Sequence, residues 1–207
     1  MSKNVWLALA ILGLGGCRIV SQQELTNLKT PPNPDLAAVA QTWQQKLVPQ
    51  VVSEARPVNE LLKALQSAKD FDRACQSLGW RAQQENPCVF AVRISGVVEK
   101  LDTVSRSGKI TIRDSGGQIV VVQIGPTIRG TALRDGYKGV SYQDFNDQVL
   151  FGDYGRAIND LAVADIQRAA PKAGEPLRVE GVFTAWDLPQ AIPEVTPARI
   201  SRQSGGQ

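Results

Sequence analysis

Hydrophobic positions recur every three to four residues in the first third of the chain and every second residue after Val89, so a helical region is expected to precede a β-rich one. Asn33 and Pro34 supply an N-cap and a proline at the first helical position, and Leu36, Val39, Ala40, Trp43 and Leu47 follow at helical spacing. This helix is expected to break or kink near Pro49, which lacks the N–H an inner turn needs. After Pro57 a second stripe, Leu61, Leu62, Leu65, Ala68 and Phe71, predicts one further helical stretch that fades before Gly79. Apolar stripes at this spacing read as core in preference to a partner surface.

Phe90, Val92, Ile94, Gly96 and Val98 alternate with polar or small neighbours and predict a half-buried strand. Ile110 and Ile112 mark a second strand after the turn SRSGK, and residues 119–124, almost continuously apolar after DSGGQ, mark a third with both faces covered. Residues 125–139 are read as a loop too rich in glycine and charge for regular structure. Ser141 and Asp144 form a capping box that is expected to open a helix carrying Phe145, Val149, Ile158, Leu161, Ala162 and Ile166 and ending before Pro171. Strand four alternates through Leu177, Val179, Gly181, Phe183 and Ala185, and residues 194–201 form a fifth. The fold class is therefore α+β: an OB-like five-stranded β-barrel, preceded by an N-terminal helical region, with a helix inserted between strands three and four. Gly96 and Gly181 fall at inward positions where a closing barrel needs a residue without Cβ. A β-sandwich and an open sheet covered by helices are the alternatives.

The chain start changes the picture from fold to compartment. Residues 5–16 (VWLALAILGLGG) form an uncharged apolar run behind Lys3. That run is shorter than the about 20 residues of a membrane span and matches the about 7 to 15 of a secretory h-region. LGGC, residues 14–17, resembles the lipobox of bacterial lipoproteins, in which the cysteine is diacylated and becomes the first residue of the mature chain. Cys17 is then the lipid attachment point, and its acyl chains (palmitate and the like), at about 0.8 kcal/mol per buried CH₂, hold the protein to the lipid bilayer. A plain signal peptide and a buried apolar segment are the competing readings. Arg18 follows the cysteine where the inner-membrane retention signal of enteric lipoproteins has Asp, which leaves inner and outer membrane both open. The expected organisation is a signal peptide over 1–16, the lipidated cysteine and a Pro-rich tether over 17–34, a helical region over 35–80 packed on the barrel, the OB-like domain over 89–201, and a frayed tail over 202–207.

Composition narrows the chemistry. The 207 residues contain no His, which removes the commonest general base, the Ser/His/Asp and Cys/His arrangements and any His-bearing zinc site. With 23 Lys and Arg against 20 Asp and Glu the net charge is +3, too small for a nucleic-acid footprint. No enzyme activity, cofactor or metal is expected. A carboxylate-based hydrolase survives only as a remote alternative, because no motif places two acids at the spacing such chemistry needs. Cys75 and Cys88, thirteen positions apart in an exported chain, suggest a disulfide, with two buried unpaired thiols as the alternative.

GCRIV (16–20), SGVVEKLDTVSRSGKI (95–110) and above all QIGPTIRGTALRDG (123–136) resemble the domain-of-unknown-function 2291 family of predicted periplasmic lipoproteins. The resemblance implies an exported OB-like lipoprotein, often encoded near sugar ABC uptake systems, with a sugar ABC transporter or its solute-binding protein as the implied partner. It implies no catalytic residue, and the Cys75/Cys88 pair belongs to no pattern of the family.

Arg129, Thr131, Arg134 and Asp135 lie among glycines after strand three, and Asp102 and Arg106 lie at the far end of strand one. Arginine forks and aspartates suit carboxylates or sugar hydroxyls, so these six are the candidate ligand site at a barrel mouth. The competing account makes them Arg–Asp struts of a barrel rim. Trp80, Tyr137, Tyr142, Tyr154 and Trp186 are the aromatic side chains available to stack on a ring, or to pack core and rim. The function expected is a membrane-anchored binding or accessory module, with a structural envelope lipoprotein engaged only in protein contacts as the alternative.

Overall fold

The computed structural model describes residues 38–145 and 147–203. The signal peptide, Cys17 and the tether, like the last four residues of the tail, lie outside the described residues.

Helix α1 runs as three segments: Val39–Thr42 and Val48–Glu54 are α-helical, and Trp43–Leu47 between them is π-helical. Val39, Trp43, Leu47 and Val51 are all buried. Residues four apart drift around an ordinary helix, and the wider π turn brings them back to one face. The bulge sits immediately before Pro49, so the expected break is a local widening and the helix continues past it. A short strand β1, Arg56–Pro57, pairs in parallel with Val92 and Arg93 and leads into α2, Val58–Ser67, with Val58, Leu61, Leu62 and Leu65 buried. The second helical stripe is not one helix. It divides after Ser67, and α3, Phe71–Leu78, starts afresh where the Asp70 carboxylate accepts the Arg73 N–H at 2.8 Å.

The sheet contains β2 (Cys88–Asp102), β3 (Ser107–Asp114), β4 (Ile119–Pro126), β5 (Pro176–Ala185) and β6 (Thr196–Arg202), in the order β4-β3-β2-β5-β6 with antiparallel neighbours. A parallel bridge between Val122 and Val195 joins the two ends, with Gln123 N–H to Val195 O and Val195 N–H to Val121 O both 2.9 Å. This junction curls the sheet into a barrel and excludes the sandwich and the open sheet. The fifteen residues of β2 make it possible: its first part pairs with β5, its last part with β3, and the two pairings overlap at Gly96 and Val97. A Cβ on Gly96 would lie 2.0 Å from the Arg113 carbonyl oxygen. Gly181 has the same role at a register shift in β5, where a Cβ would lie 2.5 Å from the Thr196 oxygen.

The connection between β4 and β5 departs from expectation twice. Residues 125–139 are not all loop, because Ala132–Gly136 forms a short helix, α4, anchored by the fully buried Leu133. The Ser141/Asp144 capping box closes only the 3₁₀ turn Tyr142–Asp144. The long helix α5, Gln148–Ala169, has its own cap, Asp147, whose carboxylate accepts the Val149 N–H at 2.6 Å. Helix α5 packs against β4 and β6, over the seam that the Val122–Val195 bridge closes. Helix α1 packs on β2, β5, β6 and α5, and α2 and α3 pack on β2. Phe90 and Phe183 stack at 5.3 Å inside, and Phe71 meets Phe90 edge-on at 6.5 Å. Cys75 on α3 and Cys88 at the start of β2 form the disulfide, with Cα atoms 5.9 Å apart.

Candidate functional site

Two of the six nominated residues sit on a cleft of about 230 Å³ between the loop at residues 80–87 and the segment that follows α4. Arg134 is among its lining residues. The guanidinium lies 3.7 Å over the Phe151 ring of α5 and donates through Nε (2.9 Å) and Nη2 (2.7 Å) to Asp135 Oδ1, and through Nη1 to the Phe151 carbonyl at 3.3 Å. Thr131 Oγ1 donates to Asp135 Oδ2 at 2.6 Å, so Thr131, Arg134 and Asp135 form one network. The packed ring and the carboxylate fix the fork in one orientation.

Aromatic side chains nominated from the sequence meet this network. Trp80, 36% exposed, and Tyr142, 50% exposed, line the cleft together with Tyr137. Tyr142 packs edge-on against Phe151 at 5.5 Å. Lys138 Nζ stands 5.4 Å over the Trp80 ring and donates to Glu54 at 2.7 Å, while Arg81 Nη2 donates to Asp72 at 2.9 Å. Each cation on the cleft therefore has its own acid, and the site as a whole carries no surplus charge. Its open faces are aromatic rings and uncharged polar groups such as Gln83 and Asn86.

Asp102, Arg106 and Arg129 do not join this cleft. Asp102 Oδ1 accepts the N–H groups of Val104 (3.1 Å) and Ser105 (3.2 Å) and shapes the β2–β3 turn. The Arg106 carbonyl accepts the Thr127 N–H at 2.9 Å. Arg129 donates from Nε to Ser107 Oγ at 2.9 Å, and its backbone is held on both sides by Gln123. Arg106 and Arg129 thus tie the hairpin to the loop after β4, while Asp102 acts within the hairpin turn. Trp186 stands apart, 69% exposed after β5. Among the residues the sequence did not single out are Phe151 beneath the Arg134 fork, Arg81, Gln83 and Asn86 on the far wall, and Lys138 and Gln143 on the near one. The signal for the far wall is its position between the two bridged cysteines.

Burial raises the Tyr137 hydroxyl, and burial followed by the neighbouring Tyr137 pushes Tyr154 up to about 12. An unfolded tyrosine ionises near pH 10. The contribution of Tyr154 to stability is thus intact below pH 10 and is lost as the pH climbs through its folded value, at about 1.4 kcal/mol per pH unit. Urea midpoints should fall more steeply above about pH 10 in the natural protein than in Tyr154→Phe. Parallel curves would contradict the assignment.

Among the described residues, no group of three or more His, Cys, Asp or Glu is placed to hold a metal ion, and no helix is long and apolar enough to cross a membrane.

The fold places the molecule among OB-fold proteins. A crystal structure of an OB-fold protein from Thermotoga maritima superposes with a TM-score of 0.61 at 14% identity, covering 83% of this chain and 100% of that one. An OBody bound to hen egg-white lysozyme overlaps at a TM-score of 0.25 and 18% identity, over 54% of this chain and 78% of its own. Residues 7–201 match the family described as predicted periplasmic lipoprotein (DUF2291), and the chain belongs to that family. Its place is accordingly the periplasmic side of a bacterial membrane, anchored by lipid. No curated protein matches it.

Proposed function

We propose that the protein is a non-catalytic binding module, held to the membrane by acyl chains on Cys17, whose Trp80/Arg134/Asp135 cleft takes a neutral sugar. It works beside a sugar ABC uptake system, with the transporter or its solute-binding protein as the protein partner. The carrying observation is the cleft itself: exposed aromatic faces beside an Arg–Asp pair whose charges already cancel. Such a site favours a ring with an apolar face and hydroxyl edges, and repays no net charge on the ligand. A purely structural envelope role is the second reading, favoured by how fully Arg134 is satisfied within the protein.

The two separate in a thermal-shift titration of the full chain, in a detergent without a sugar headgroup, against pentoses and hexoses. The binding reading expects a saturable rise in Tm. It also expects Trp80→Ala to weaken binding on the order of tenfold, through loss of the stacking face. Because Trp80 is partly exposed, the Tm of the free variant should hardly change. No shift with any sugar favours the structural role.

A further inference from the structure

The wall of the cleft that carries Trp80 rests on a unit with little packing of its own. Helix α3 has eight residues, of which only Ala74 and Cys75 are buried. A helix this short is marginal in isolation and needs tertiary docking to persist. The loop at residues 80–87 is tied to α3, since Asp72 accepts from Arg81 at 2.9 Å and from Gln84 at 3.4 Å. Open space lies on both sides of that loop: the cleft of about 230 Å³ on one, and a second of about 380 Å³, bordered by Asp72, Cys75 and Gln76, on the other.

Helix and loop thus form one flap: Phe71 and Leu78 pack it on the core, and its hydrogen-bonded and covalent attachments to β2 are gathered at its base. Trp80 and Val89 exchange two main-chain hydrogen bonds at 2.8 and 2.7 Å. Cys75 and Cys88 add the covalent one, with both sulfurs inside the core. Gly79 lies so close beneath that a Cβ on it would stand 2.7 Å from Cys88 Sγ.

We infer that the Cys75–Cys88 disulfide positions the binding cleft: it docks α3 and the loop at 80–87 on β2 as a unit, and the Trp80 wall keeps its place only while that bond is intact. This rests on reading the cleft as the ligand site. The bond acts through the flap and touches no ligand.

The test compares the full chain with its Cys75→Ala/Cys88→Ala variant, which retains Cys17, by amide hydrogen exchange and by sugar titration. Closing a loop of this length accounts for about a hundredfold against opening, so exchange over residues 71–87 should quicken by about that factor and by more than in β3 and β4. Sugar affinity should fall at least about tenfold in the variant. Three results overturn the inference: unchanged exchange over 71–87, equal acceleration across the whole sheet, or faster local exchange with undiminished affinity. If the variant does not fold, the natural protein titrated with a phosphine reductant supplies the same comparison, and unfolding of the sheet together with the flap overturns it. Should the bridged protein bind no sugar at all, the functional reading falls, and the exchange result alone still decides whether the bond docks the flap.

Discussion

Trp43→Ala is expected to lower the stability of the protein by about 3–5 kcal/mol, the range for deleting a large buried aromatic side chain. The indole is 1% exposed and sits at the start of the π-helical turn of α1, between Val39 and Leu47 on the buried stripe. Its Nε1 donates to Asp165 Oδ2 at 2.8 Å, which fastens α1 to α5 across 122 positions of sequence. Alanine would leave a cavity and take the donor from Asp165 Oδ2, while Oδ1 keeps its pair with Arg168 at 2.7 Å. Trp43→Phe should recover most of the packing and lose only the hydrogen bond, worth about 1 kcal/mol or somewhat more to a charged acceptor. Urea denaturation of the three proteins checks the order. If Trp43→Ala costs less than about 1 kcal/mol, α1 is not part of the same cooperative core.

Gly96→Ala should be nearly as damaging, on the order of 3 kcal/mol, at the upper end for overpacking. The added methyl has no flexible neighbour to displace, because the atom 2.0 Å away is the Arg113 carbonyl oxygen on the paired strand. Relief requires β3 to part from β2 at the point where β2 passes from one half of the barrel to the other. Gly117→Ala provides the contrast: that glycine has open space around it and a φ of +85°, so its cost is backbone strain alone, about 1 kcal/mol. Equal stabilities for Gly96→Ala and the natural protein would mean that the barrel does not coil at Gly96.

The barrel was legible because its strands obey a two-residue period: Phe90, Val92, Ile94 and Val98 are buried as the alternation requires. Gly96 and Gly181 were legible for a related reason, since an inward glycine gives up a core side chain, and what it gains in return is close approach of a second strand. What escaped has physical causes. The Asp70 cap is hidden by Ala68 and Phe71, which prolong the apolar stripe across the break. Helix α4 is a single turn held largely by Leu133, too short to show any period. Glu180 falls on the outward phase of β5, yet it is fully buried, because Arg178 and Arg199 fold over it at 2.7 and 3.1 Å. Alternation reports which face a residue is on and is silent about side chains that cover it.

The site was half legible. Arg134 and Asp135 are adjacent, so their partnership is a local matter that sequence can carry. Their meeting with Trp80, more than fifty positions earlier, depends on how α3 and its loop dock on β2, and no periodicity encodes that. Arg129, Asp102 and Arg106 have the same chemistry as Arg134 and Asp135. They lie elsewhere because the β2–β3 hairpin and the segment after β4 end at a different part of the surface from α4.

Amide spectra of the isotope-labelled protein, recorded while pentoses and hexoses are added, test most directly that this cleft is where the protein meets its ligand. A sugar held in the cleft gives saturable shifts at Trp80, Asn86, Asp135 and Tyr142, with Asp102, Arg106 and Arg129 unmoved. Saturable shifts confined to the β2–β3 hairpin and Arg129, or spectra that no sugar alters, would refute that placement.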